Sequence, residues 1–221
     1  MIRIYLGFDP RETVAYNVLQ HSIRARASCP VTICPLDRNT LKGIYDRPRG
    51  MLESTDFSLS RFIVPYLSNY EGWSVFMDSD MLCLGDVAEF ANYMTLGTRW
   101  TKAVSVVKHN YNPENETKFL GQTQTKYEKK LWSSLMIFNN ALCHNLTREA
   151  VNSREGLWLH QFKWTDDELI GSIPKEWNWI PGHSDGEPKM VHFTESGPWF
   201  GPTAYSSEWF AEREAMLHAD T

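Results

Sequence analysis

The sequence predicts an α/β domain, and three features predict it. The chain opens as strand, helix, strand, an arrangement that begins α/β sheets. Four further short apolar runs (74–77, 103–107, 135–138 and 190–193) have strand length and are separated by polar or helical stretches. Of 221 residues, 42% are hydrophobic, enough for a sizeable single core.

Taken in order, Ile2-Arg3-Ile4-Tyr5-Leu6 is rich in β-branched and aromatic residues and reads as a strand stopped at Gly7. Asp9 followed by Pro10 is a helix start, with the carboxylate as N-cap and Pro at the first helical position. Val14, Val18, Leu19 and Ile23 recur at helical spacing, carrying that helix to about Arg26. A second strand covers Val31 to Cys34. Residues 38–54 are polar, with Gly43, Pro48 and Gly50, and read as a surface loop. A helix is expected over Asp56–Leu67, bent or ended by Pro65. Ser74 to Met77 is a buried strand running into Asp78-Ser79-Asp80; Met81 to Leu84 stays apolar before Gly85-Asp86 turns the chain. After the strand at 103–107, residues 109–129 form a long polar loop, the kind of length that serves as a lid. Leu135 to Phe138 is a strand closed by Asn139-Asn140, Asp166 to Gly171 a short helix, Met190 to Phe193 a late strand and Glu208 to His218 a terminal helix within a tail of about 203–221. No repeat or linker divides the chain, so 1–221 is expected to be one domain.

A net charge of −5 excludes the basic surplus of a nucleic-acid binder. Cys29, Cys34, Cys83 and Cys143 match no zinc spacing and read as reduced thiols. No leader or membrane-anchor stretch is recognisable, so the expected location is cytoplasmic.

The chemical signal is Asp78-Ser79-Asp80. Ligands of open α/β sheets bind at the carboxyl ends of strands. Two carboxylates one residue apart converge there if the backbone kinks, and their mutual repulsion calls for a cation. Oxygen donors suit Mg²⁺ or Mn²⁺. An imidazole from His192 on the late strand would tilt the choice toward Mn²⁺. The alternatives are a polar turn that caps a strand and an ordinary core or surface histidine.

These residues sit in a wider pattern. The run Thr55 to Leu67 with Arg61-Phe62-Ile63-Val64-Pro65, then Trp73 to Asp80, then Gly85-Asp86, resembles glycosyltransferase family 8, whose members include lipopolysaccharide galactosyltransferases and glycogenins. His192-Phe193-Thr194 with Pro198-Trp199 is similar to that family's closing motif. The resemblance implies a GT-A, Rossmann-like domain with a central, mostly parallel sheet. It implies a hexose moved from a nucleotide-sugar, a uridine-diphosphate hexose by preference, to a glycan, lipid-linked or protein acceptor with retention of configuration. By it, Asp78, Asp80 and His192 hold the metal, and Arg61 and Ser79 stand beside the diphosphate. Gly7, Asp9 and Tyr16 line the base pocket. Ser134 and Asn139 lie near the sugar-side strand, and Asp166 and Asp167 lie on the far side of the sugar, with Asp167 or Asp166 the candidate nucleophile. Two departures stand out: Gly197 where the family carries Lys, and Asp167 where it carries Gln.

Sugar transfer loads negative charge onto the departing diphosphate, which a cation and Arg61 would stabilise. Retention admits a carboxylate nucleophile or a front-face route. Of the six tryptophans from Trp158 onward, some are expected at the acceptor side, since amphipathic rings suit sugars. Rival readings are a nucleotide-sugar-binding domain without catalysis and a sugar nucleotidyltransferase. A phosphatase of the haloacid dehalogenase type would place its acidic pair on the first strand.

Overall fold

The computed structural model describes residues 1–50, 53–94, 101–110, 117–118, 122–123 and 127–218. Strand β1 (Ile2–Gly7) leads through a 3-10 turn (Pro10–Glu12) into helix α1 (Thr13–Arg26) and strand β2 (Val31–Leu36). Asp9 caps that turn as expected, its side chain accepting from the Arg11 N–H. The apolar face of α1 buries Ala15, Tyr16, Val18, Leu19 and Ile23, whereas Val14, expected on that face, is exposed.

A six-stranded sheet forms the centre. Its order is β2, β1, β3 (Trp73–Met77), β8 (Leu135–Asn139), β5 (Val104–Val106), β9 (Ile170–Ser172). Five strands run in one direction and β8 alone is reversed, paired antiparallel with both β3 and β5. Both faces are covered, which is why these strands read as unbroken apolar runs. On β3 the alternation sends Val75 and Met77 to the face under α1 and Phe76 to the opposite face. There Phe76 meets Phe57 and Phe62, and each such fully buried ring contributes about 2–3 kcal/mol.

A second, two-stranded antiparallel ribbon joins β4 (Met81–Cys83) to β10 (Met190–His192), with His192 opposite Met81. A short ladder pairs β6 (Thr117–Lys118) with β7 (Gln122–Thr123). Most of the polar stretch 109–129, including its expected lid, lies outside the described residues.

Two further expectations change. In place of one helix over 56–67, a 3-10 stretch (Ser60–Ile63) leads into a single α-turn, α2 (Val64–Leu67), so Pro65 sits in the first turn, where its missing N–H costs nothing, and neither bends nor ends the helix. The expected helix over 166–171 is a 3-10 turn (Asp167–Leu169) followed by β9, because Ile170 and Gly171 pair with Val104 and Ser105 in the sheet. The expected terminal helix forms and packs on the core. After α3 (Arg148–Ser153) and α4 (Gly156–His160), α5 (Ser206–Leu217) buries Trp209 against Val18 and Leu82. Its Glu212 binds His21 at 2.5 Å and Arg26 at 2.7 Å on α1.

Candidate active site

The site forms where β3 stops. The Asp78 N–H donates to the Ser134 carbonyl (2.9 Å), the last bond of the sheet, and the chain then leaves for β4. The ribbon register returns β10 alongside. The Asp80 carbonyl accepts from Phe193 N–H (2.8 Å), and His192 N–H donates to the Trp179 carbonyl (2.7 Å). The main chain thereby fixes all three side chains. His192 Nε2 stands 3.4 Å from Asp80 Oδ1 and 3.9 Å from Asp78 Oδ2. One ligand atom from each residue lies within 4.8 Å of the others. Two carboxylate oxygens and one imidazole nitrogen suit a hard divalent cation with some tolerance for nitrogen, so the donor set fits Mn²⁺ or Mg²⁺.

Arg61 is buried beside them. Its Nη1 meets Asp78 Oδ1 at 2.7 Å and the Ser133 carbonyl at 2.9 Å, and its guanidinium lies over the Phe57 and Phe76 rings (5.4 and 5.0 Å to the centroids). A buried guanidinium with an ion pair, a carbonyl and two aromatic faces is a fixed element that orients the Asp78 carboxylate.

Asp78, Asp80, Arg61, Ser134 and His192 line a cavity of about 620 Å³. Its walls continue over Phe57, Leu131 and Leu157, with Tyr127 and His160 between them. His160 Nδ1 lies 2.9 Å from Ser133 Oγ. Burial pushes the Tyr127 phenol up to about 12, so it stays a hydrogen-bond donor at neutral pH.

The other expected site residues are placed elsewhere. Gly7 lies under Phe57, whose ring occupies the space a Cβ would need. Asp9 is buried and fully engaged by the Arg11 side chain (2.9 and 2.6 Å), the Arg11 N–H and the Asp56 N–H. Burial would raise its carboxyl, but these bonds hold it below the usual range. Tyr16 is in the core, edge-on to Phe8. Ser79 is fully buried. Asn139 pairs with Trp73, five residues before Asp78 and thus roughly 16 Å along the sheet from the acidic pair. Asp166 occupies an N-cap position without making a capping bond, and Asp167 is largely exposed and paired with Lys129. None of these lines the cavity. Gly197, which replaces the expected Lys, has the Trp199 ring folded onto it, leaving no room for a side chain. Trp164, Trp177 and Trp209 belong to the core and present no face to a sugar.

Three residues that sequence reasoning passed over stand close to the triad. Asn178 is fully buried with its Oδ1 2.8 Å from His192 Nδ1. Glu12 is buried within reach of Asp80. Burial, then repulsion from Asp80 and Asp9, pushes its carboxyl up to about 8. His109 lies against Asn178 and His192, and burial with the His192 field pushes its imidazole down to about 4, which keeps it neutral. Asn178 sits in a Trp-Asn-Trp stretch and Glu12 in a helix's first turn, contexts with no chemical signature.

No protein-family model matches the chain. Protein CDI from Arabidopsis thaliana is 43% identical over 226 residues, covering 96% of this chain and 86% of that protein. Among solved structures the chain is similar to the bifunctional glycosyltransferase WbbM (TM-score 0.63, 14% identity, 96% of this chain and 51% of that one). It is also similar to the glycosyltransferase GlyE of Streptococcus pneumoniae (0.61, 13%, 99% and 62%). A third is the galactosyltransferase LgtC in complex with donor and acceptor sugar analogs (0.61, 11%, 97% and 96%). The chain thus spans about half of WbbM and about three fifths of GlyE. At such identities the shared property is the fold, that of GT-A glycosyltransferases. Among the described residues no helix is long and apolar enough to cross a membrane.

Proposed function

We propose that this chain, which belongs to the family of Protein CDI from Arabidopsis thaliana, is a cation-dependent glycosyltransferase that moves a hexose from a nucleotide-sugar, by preference a uridine-diphosphate hexose, to a hydroxyl-bearing acceptor. The observation that carries the reading is the convergence of Asp78, Asp80 and His192 on the wall of a cavity of about 620 Å³, at the strand ends of a GT-A sheet.

Transfer breaks the bond between the anomeric carbon and a diphosphate oxygen, and charge grows on the leaving group. Mn²⁺ or Mg²⁺, when bound, supplies the positive charge that stabilises it. The chain's residues do the rest. Asp78 and Asp80 offer the oxygen ligands, His192 the nitrogen, and Arg61 holds Asp78 in place. Tyr127 and His160 offer polar edges to sugar hydroxyls, while Phe57, Leu131 and Leu157 exclude water. The position of Asp167, exposed and engaged by Lys129, favours a front-face course for retention over a double displacement through that carboxylate.

The test is release of nucleoside diphosphate from a panel of nucleotide-sugars with Mn²⁺. Turnover is expected with at least one donor and should vanish on Asp80→Asn or on chelation. Turnover indifferent to both would overturn the reading. A second reading, nucleotide-sugar binding without transfer, is favoured by the Trp199 ring that fills the place of the family Lys. Saturable, Mn²⁺-dependent donor binding with no turnover identifies it.

A further inference from the structure

We propose that Asn178 is a positioning residue that fixes His192 as the Nδ1–H tautomer, so that Nε2 presents its lone pair to the ion shared by Asp78 and Asp80. This rests on the reading of those three residues as cation ligands.

The Leu131 carbonyl can only accept. Ser134 Oγ lies 2.6 Å from it and must give its proton there. That hydroxyl then has only lone pairs left for Asn178, 2.7 Å away, so the amide turns its Nδ2 group toward Ser134. The other end of the amide, Oδ1, therefore faces His192 Nδ1 at 2.8 Å. A carbonyl oxygen cannot donate, so the proton of this contact is on Nδ1. In the neutral ring, Nε2 is then bare, and Nε2 is the nitrogen that faces both carboxylates.

The same serine serves both halves of the site. Its carbonyl accepts the Asp78 N–H (2.9 Å) while its hydroxyl orients the amide behind His192. Asn178 is fully buried, so water offers its amide no alternative partner. Groups that hydrogen-bond the non-ligating nitrogen of a metal-binding histidine set its tautomer and ring orientation in this way, and their loss costs about 10–100-fold in metal affinity.

Two measurements test the assignment. In ¹⁵N-histidine-labelled, cation-free protein at alkaline pH, with the His192 signals assigned by their loss in His192→Gln, the ring should show the Nδ1–H pattern. In Asn178→Leu it should shift toward Nε2–H, and Mn²⁺ affinity should fall about tenfold to a hundredfold. Asn178→Asp keeps an acceptor for Nδ1–H and should bind Mn²⁺ within a few-fold of the parent. Ser134→Ala, which frees the amide to rotate, should give mixed tautomers, and it decides the matter if the leucine variant does not fold. An Nε2–H ring in the parent protein overturns the proposal, as does an unaltered tautomer with unaltered Mn²⁺ affinity in Asn178→Leu or Ser134→Ala. If the parent shows the Nδ1–H ring but binds no cation, the ligand reading fails while the tautomer assignment stands.

Discussion

Glu12 makes the protein's stability depend on pH in a direction opposite to ordinary acid denaturation. In the folded, cation-free protein its carboxyl titrates at about 8, against 4.5 for the free group, chiefly through burial and then through repulsion by Asp80 and Asp9. Below 4.5 both folded and unfolded states hold the proton and nothing is lost. Between 4.5 and 8 the unfolded chain releases it and the folded chain keeps it, so the unfolded state binds fewer protons and stability falls as pH rises. At about 1.4 kcal/mol per unit, this amounts to about 3 kcal/mol at pH 7 and about 4 kcal/mol by pH 8. Glu12→Gln keeps the neutral shape and cannot ionise. The assay is urea unfolding in the presence of a chelator, from pH 4.5 to 8.5, on parent and variant. The variant should match the parent near pH 4.5 and gain on it steadily to become more stable by several kcal/mol. Parallel profiles across that window would refute the reasoning, because they would mean that Glu12 ionises equally easily in both states.

Arg61→Met takes the buried cation from Asp78 and should cost about 3 kcal/mol, part of it restored by Mn²⁺; equal melting temperatures for parent and variant would count against a structural ion pair there. Gly7→Ala forces a methyl into the Phe57 ring and should cost about 1–3 kcal/mol in urea unfolding, with Phe57→Leu in the same chain recovering part of it. Trp209→Ala empties the seat of α5 on α1 and should cost about 3–5 kcal/mol; a smaller loss would show that α5 is dispensable to the core.

Elements with a local cause were legible in the sequence. Asp9-Pro10 starts a helical turn because a side-chain acceptor and a fixed φ act within three residues, and the structure keeps that cap. The apolar run ending at Asp78 announces a buried strand because both its faces are covered, and the acids fall at its end because a charge cannot continue into the core. From its own residues His192 was legible as a strand residue of suitable chemistry, and the family resemblance alone paired it with the acids; its meeting with Asp80 follows from the register of the β4–β10 ribbon.

What the sequence by itself determined, then, is where strands stop and which stop carries paired carboxylates, since burial and local capping act on neighbours in the chain. Only the tertiary structure decided that β8 runs backwards, which carries Asn139 to the far end of the sheet and brings Ser134 beside Asp78. It likewise decided that Gly7 lies under the Phe57 ring, that Asp9 is held by Arg11 and that Asn178 stands behind His192. Strand direction and long-range hydrogen bonds depend on contacts between segments dozens of residues apart, and no periodicity within one segment encodes them.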